Sequence, residues 1–130
     1  SPVVEKTNAK ILYEDLPVIK TDKIKFIRIM QNLISNAIKY NRSERPEIKI
    51  FAYRDKKFWI FAVQDNGSGI AQEYQEDIFK LFKRLHDRRQ SDGSGLGLAI
   101  CKKLIEKLGG EIWLESHEGQ GSTFYFSLPV

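Results

Sequence analysis

The chain has 130 residues, 42 % of them hydrophobic and 29 % charged, which is single-domain size with enough apolar material for a core and too little polarity for a disordered segment. Its longest apolar run, residues 58–63, falls far short of the ~20 residues a spanning helix needs, and its single cysteine, Cys101, excludes a disulfide framework or a cysteine metal site. The net charge is +4, and the one dense basic cluster, Lys80, Lys83, Arg84, Arg88 and Arg89, suits a phosphate-bearing ligand or nucleic acid but reads first as a solvated helix end and loop.

In chain order, residues 1–8 read as a linker remnant, and 9–130 as one domain without internal repeats. The N-terminus carries no signal-peptide pattern, so the cytoplasm is the expected location. Residues 9–13 and 18–20 are expected as short strands around Leu16-Pro17. Asp22 is the expected N-cap of a long helix reaching about residue 40, which 41–46 breaks. Residues 47–54 and 57–65 read as a hairpin turning at Asp55-Lys56, and 72–85 as a helix. A polar, glycine-containing loop precedes a helix over 96–108, stopped by Gly109-Gly110. Strands over 111–117 and 122–128 flank the turn "EGQG". Three helices and about six strands imply an α/β two-layer sandwich, with helices on one face of a mixed sheet. Strand 57–65 is apolar on both parities, so its second face is expected to be covered by further sequence or a partner.

Within the long helix, Phe26, Ile27, Met30, Leu33, Ile34, Ala37 and Ile38 share one broad arc and form the expected core face. Arg28, Asn32, Asn36 and Lys39 lie on the opposite arc, with Tyr40 at its edge. By itself this is an amphipathic helix with a wet face. Three later segments give the amides a purpose. "QDNGSGI" (64–70) ends a strand on a carboxylate followed by two glycines, which let a ligand approach the backbone. "SDGSGLGLAI" (91–100) runs alternate glycines into a helix start, where free N–H groups favour phosphate. "GQGSTFYF" (119–126) is a turn entering a strand. Each alone is ordinary turn or loop chemistry. The glycines are spaced G-x-G-x-G, so they are neither the dinucleotide fingerprint nor a P-loop, and eukaryotic-type kinase signatures are absent.

The ordered set "NLISNAIKY", "DNGSGI", "IFKLF", "GSGLGLAI" and "GQGSTF" resembles the N, G1, F, G2 and G3 boxes of the catalytic ATP-binding domain of sensor histidine kinases, over about residues 9–129. The wording from "FKRLH" through "GLGLAICKKLIEKLGGEIWLES" is closest to phytochrome-like kinases. The resemblance implies the Bergerat fold, ATP and Mg²⁺ as cofactors, and transfer of the γ-phosphate to a histidine on an upstream dimerisation and phospho-acceptor domain. A response regulator would follow downstream, and neither nucleic acid nor membrane would contact this domain.

The residue roles follow from the same likeness. Asn36 would ligate Mg²⁺ through its amide oxygen, a ligand type Mg²⁺ accepts while keeping most of its waters. Lys39 would meet a phosphate and Tyr40 the phosphate or ribose side. Asp65 would accept from the adenine N6 amine, with Gly67, Gly69 and Ile70 shaping the approach. Gly93, Gly95, Leu96, Gly97 and Leu98 would turn backbone N–H groups to the triphosphate, and Thr123 would reach the adenine side. Phe79 and Phe82 would anchor a lid over 83–94, expected to be mobile without nucleotide, from which Arg84 reaches the γ-phosphate. Asn32 takes the place where related ATPases of the gyrase type carry a water-activating glutamate. A neutral amide cannot take that proton. His86 and His117 sit in no phospho-acceptor box and read as surface or packing residues. A related ATPase, or a degenerate nucleotide-binding module, are the rival readings.

Overall fold

In the computed structural model the described residues are 10–13, 16–39, 41, 45–70, 75, 95–117 and 119–130. They form β1 (Lys10–Tyr13), α1 (Lys23–Lys39), β2 (Glu47–Asp55), β3 (Phe58–Asp65), α2 (Gly95–Lys107), β4 (Ile112–His117) and β5 (Gly121–Pro129). The strands make one sheet in the order β1-β2-β3-β5-β4, with β1 parallel to β2 and every other pair antiparallel. The α/β sandwich expected from sequence is therefore present, with two corrections. The described residues hold two helices and five strands, not three and six. Residues 18–20 form no strand, and Val18 is fully exposed. The helix expected over 72–85 lies outside the described residues except for Gln75, which is helical.

Asp22 caps α1: its Oδ1 accepts from Lys25 N at 3.1 Å, and Oδ2 accepts from the Lys25 ammonium at 2.8 Å. That ammonium bond holds the Asp22 carboxyl below its ordinary range. Helix α2 ends in a Schellman arrangement, with Gly109 N bonded to Glu106 O and Gly110 N to Ile105 O. Gly109 takes φ 91°, the left-handed conformation such an ending requires.

The core lies between the helices and one sheet face. Phe26 of α1 meets Phe61 edge-on at 5.2 Å, and Phe61 stacks on Phe126 at 5.1 Å. Leu33, Ile48, Val63, Ile105, Phe126 and Leu128 are almost wholly excluded from solvent. The sequence-based core face of α1 needs adjusting. Ile27 is 41 % exposed, whereas Ile29 is fully buried. Helix α1 packs on α2 as well as on the sheet, so its apolar surface is wider and rotated toward α2.

The outer sheet face resolves the double-apolar strand. Cross-strand register sets Trp113, Tyr125, Ala62 and Phe51 in one row, and Ile60 beside Tyr53 and Ser127 in the next. Trp113 stacks on Tyr125 at 5.5 Å, and the Lys49 ammonium lies over the Phe51 ring. Ala62 is completely buried and Ile60 only 5 % exposed on this face, which neither of the two described helices covers. Large side chains from flanking strands can cover small ones by lying across the pleat.

Candidate functional site

Three segments converge at one end of the sheet: the C-terminal half of α1, the loop that follows β3, and the start of α2. They contain most of the residues singled out from sequence that the described structure reaches.

Asn36 of α1 is buried, and its Nδ2 has no hydrogen-bond partner. An orphaned buried amide end is costly, by about 1–3 kcal/mol. Asn32, one turn earlier, is half-buried, and its amide lies 3.5 Å from where a Cβ on Gly97 would project. Asn32 therefore belongs to the α1–α2 seam, against the sequence-based picture of a wholly wet face. Cys101 shares that seam, its thiol 3.7 Å from Ile29 O. Burial pushes the thiol up to about 11, while the Asn32 amide and the Arg28 charge act the other way. Lys39 is the last residue of α1.

Helix α2 opens at Gly95, so the backbone N–H groups of Gly95, Leu96, Gly97 and Leu98 have no acceptor within the helix. The Leu98 side chain is buried in the core, which fixes the depth of that first turn.

Asp65 ends β3 opposite Ser122 of β5. Its Oδ1 accepts from Gly67 N at 2.9 Å and from Ser122 N at 3.3 Å. Oδ2 takes part in neither bond. Burial raises the Asp65 carboxyl above its ordinary value, opposed by those two N–H groups. A Cβ on Gly67 would come to 3.0 Å from Oδ1, so a side chain there would crowd the Asp65 carboxylate. Gly69 has φ 77°, again a glycine conformation. Ile70 tucks its side chain against the core.

The register corrects one expectation. Thr123 pairs with Gln64, one residue along from the Asp65–Ser122 pair. Successive strand residues face opposite sides. Thr123 therefore points to the outer face, beside Glu115 and Tyr125, and the hydroxyl next to Asp65 is that of Ser122. The neighbouring "ST" of the sequence offered two hydroxyls, and only the pairing register distinguishes them.

Sequence reasoning also missed the residues that hold the loop. Asn66 Oδ1 accepts from Asn41 Nδ2 at 2.7 Å and from Glu47 N at 2.9 Å, and its Nδ2 donates to Arg45 O at 3.1 Å. Asn66 had looked like turn chemistry, yet it ties the loop to the start of β2 and to Asn41. Ser116 and Gln75 hold the opposite side. Tyr40, Phe79, Phe82, Arg84 and Gly93, the expected lid over 83–94 and the Lys39 and Leu96 side chains lie outside the described residues. Among the described residues no cluster of histidine, cysteine and carboxylates could hold a metal, and no helix is long and apolar enough to cross a membrane.

An orphaned amide, a half-tied carboxylate and a glycine-led helix start thus lie together at one end of the sheet. Residues 21–130 match the family model described as histidine kinase-, DNA gyrase B- and HSP90-like ATPase, and the chain belongs to that family. It is 49 % identical over 127 residues to the phytochrome-like protein Cph1 of Synechocystis sp., covering 98 % of this chain and 17 % of that protein. The adaptive-response sensory kinase SasA of Synechocystis sp. is 38 % identical over 128 residues, covering 96 % of this chain and 33 % of SasA. Among solved structures, full-length ShkA in complex with AMPPNP superposes with TM-score 0.83 and 31 % identity, covering 99 % of this chain and 27 % of that one. The catalytic domain of histidine kinase ThkA gives TM-score 0.81 and 32 % identity, covering 97 % of this chain and 82 % of that one. Within its family the chain is thus a histidine kinase catalytic domain, an ATP-binding unit. It spans less than a fifth of the length of the phytochrome-like relatives it matches.

Proposed function

We propose that this domain binds Mg·ATP and presents the γ-phosphate to a histidine on a separate dimerisation and phospho-acceptor domain, in a two-component signalling protein that hands the phosphoryl group to a response regulator. The observation that carries the nucleotide half is Asp65. Backbone N–H groups engage one carboxylate oxygen, leaving the other to accept from the exocyclic amine of adenine. Guanine carries a carbonyl at that place, which a carboxylate repels. Gly67 keeps the approach free of a side chain. The Ser122 hydroxyl is the adenine-side partner on β5.

Asn36 fits Mg²⁺. A half-turn of its amide would set the oxygen where the orphaned Nδ2 now lies, and a cation would relieve the missing partner. When bound, Mg²⁺ supplies positive charge across the phosphate oxygens. The first-turn N–H groups of α2 would hold the phosphates, helped by the positive end of the helix. Lys39 and Arg84 would add charge, with Tyr40, Phe79, Phe82 and Gly93 completing the pocket and lid. Asn32, being neutral, would not activate water, so the γ-phosphate is kept for the incoming histidine. The chemistry asked of the protein is positioning and charge neutralisation.

The direct test is calorimetric titration of the chain with ATP, with and without Mg²⁺, against GTP. ATP binding strengthened by Mg²⁺ and weak for GTP supports the reading. Equal affinity for both purines refutes the role given to Asp65, and Mg²⁺-independence refutes that of Asn36.

A further inference from the structure

The loop that carries Asp65 is bonded along its whole length. Asp65 Oδ1 accepts from Gly67 N at its start. In the middle, Gly119 N, from the β4–β5 turn, donates to Ser68 O at 2.6 Å. At its far end Ile70 N donates to Ser116 Oγ at 2.7 Å, and Gln75 Nε2 donates to Ile70 O at 2.9 Å. Gln75 Nε2 also donates to Ser116 O at 3.2 Å, so both ends of residue 70's backbone are tied to Ser116. Ser116 itself is buried, and its hydroxyl lies 3.2 Å from Gly121 O and 2.8 Å from Ser122 Oγ.

That hydroxyl has one proton to give and already accepts from Ile70 N. If it donates to Gly121 O, it accepts the Ser122 proton, and Ser122 has none for a ligand. If it donates to Ser122 Oγ, the Ser122 proton is free to point elsewhere. Ser116 thus holds the far end of the loop, and its hydroxyl is coupled to the hydrogen-bonding sense of the hydroxyl beside Asp65. It lies on β4, in none of the five boxes.

We propose that Ser116 is a positioning residue for purine recognition, whose buried hydroxyl, with Gln75 bridging the backbone carbonyls of Ser116 and Ile70, holds the Asp65–Ile70 loop and the Ser122 hydroxyl in their recognising arrangement. The proposal rests on the reading that Asp65 accepts from the adenine amine. The ligand class it concerns is a 6-aminopurine triphosphate.

The test compares affinities for ATP and for purine riboside triphosphate, which lacks the 6-amino group, in the wild-type chain and in Ser116→Ala, Ser116→Thr and Gln75→Met. Wild type should favour ATP. In Ser116→Ala that preference should shrink by about fivefold, the equivalent of one ordinary hydrogen bond. Gln75→Met should shrink it in the same direction, and it keeps the test open if Ser116→Ala does not fold. Ser116→Thr, which retains the hydroxyl, should restore most of the preference. A merely structural role would lower Tm and weaken both nucleotides equally, and an unchanged ATP-to-analogue ratio in Ser116→Ala and Gln75→Met would overturn the proposal. A wild-type chain that does not distinguish the two nucleotides would instead overturn the Asp65 reading, and the proposal with it.

Discussion

On the proposed reading, Asp65 sets recognition against stability within a single side chain. Burial raises its carboxyl, so the folded chain binds that proton more readily than the unfolded chain does. For a group raised on folding, the stabilising contribution is complete in acid, below the unfolded value, and is lost as pH rises through the folded one. The ionised carboxylate is therefore a burden at neutral pH. Asp65→Asn keeps an acceptor for Gly67 N and Ser122 N and removes the charge. Its Tm at pH 7 should equal or exceed that of wild type, with the difference narrowing as pH falls into the ordinary carboxylate range. ATP affinity should drop by roughly 10- to 150-fold, the loss of ~1.5–3 kcal/mol expected when a charged acceptor is removed. Thermal melts at two pH values and one calorimetric titration check both halves, and an unaltered ATP affinity would refute the assignment. At this scale the sequence was legible where a residue type is rare in its setting. A carboxylate before two glycines and two amides in an apolar helix announce themselves. The choice between Ser122 and Thr123 did not, because it depends on which residue pairs with Asp65 across strands. Nor did Ser116, Asn66 and Gln75, whose partners lie 46, 25 and 41 positions away in the chain.

At the scale of elements, local chemistry foretold the boundaries that have a cap or a turn. Asp22 and Gly109-Gly110 mark the two helix ends as expected, because capping bonds are made within a few residues. Residues 18–20 misled because β-branched composition suggests a strand but supplies no neighbour to pair with. The face of α1 was misjudged by one position because a period of 3.6 locates an apolar arc without saying that a second helix joins the sheet in burying it. Gly110 does more than end α2. A Cβ there would run into the Ser127 carbonyl, while Ser127 N bonds Glu111 O and Ser127 Oγ accepts from Glu111 N. Gly110→Ala should destabilise the chain by at least ~1–3 kcal/mol through this overlap. Gly119→Ala is the control. Its Cβ meets nothing within 4 Å, so only the cost of φ 82° remains. Denaturant melts of the pair measure the difference, and equal midpoints would show that the Ser127 strand yields without cost.

At the scale of the whole molecule, the proposed function makes the site a phosphoryl donor whose acceptor histidine lies on another domain. The chain contains two histidines, His86 and His117, and neither lies in an acceptor motif. With Mg·ATP alone, the purified chain should hydrolyse slowly and should not label itself with γ-phosphate. Addition of a histidine-bearing dimerisation domain from a phytochrome-like kinase should produce a phosphohistidine on that domain. Radiolabel transfer resolved by gel checks the prediction, and brisk ATP turnover by the chain alone would favour an ATPase of the gyrase type instead. Asn32→Glu should raise hydrolysis modestly, because a base is supplied without a water held in line for it.

The two tryptophans stand on opposite faces of the sheet, Trp59 with the Arg54 guanidinium 6.0 Å from its ring on the helix side and Trp113 stacked on Tyr125 on the other. Neither is near Asp65: Trp59 lies six residues along β3, roughly 20 Å at strand rise, and Trp113 pairs with Tyr125, three residues along β5 from Ser122, roughly 10 Å. Intrinsic emission of the chain should therefore report unfolding and stay almost silent to nucleotide. Trp59→Phe and Trp113→Phe would separate the signal into one lamp for the core and one for the aromatic face. A large change in emission on adding ATP would mean that occupancy of the site is felt through the sheet itself.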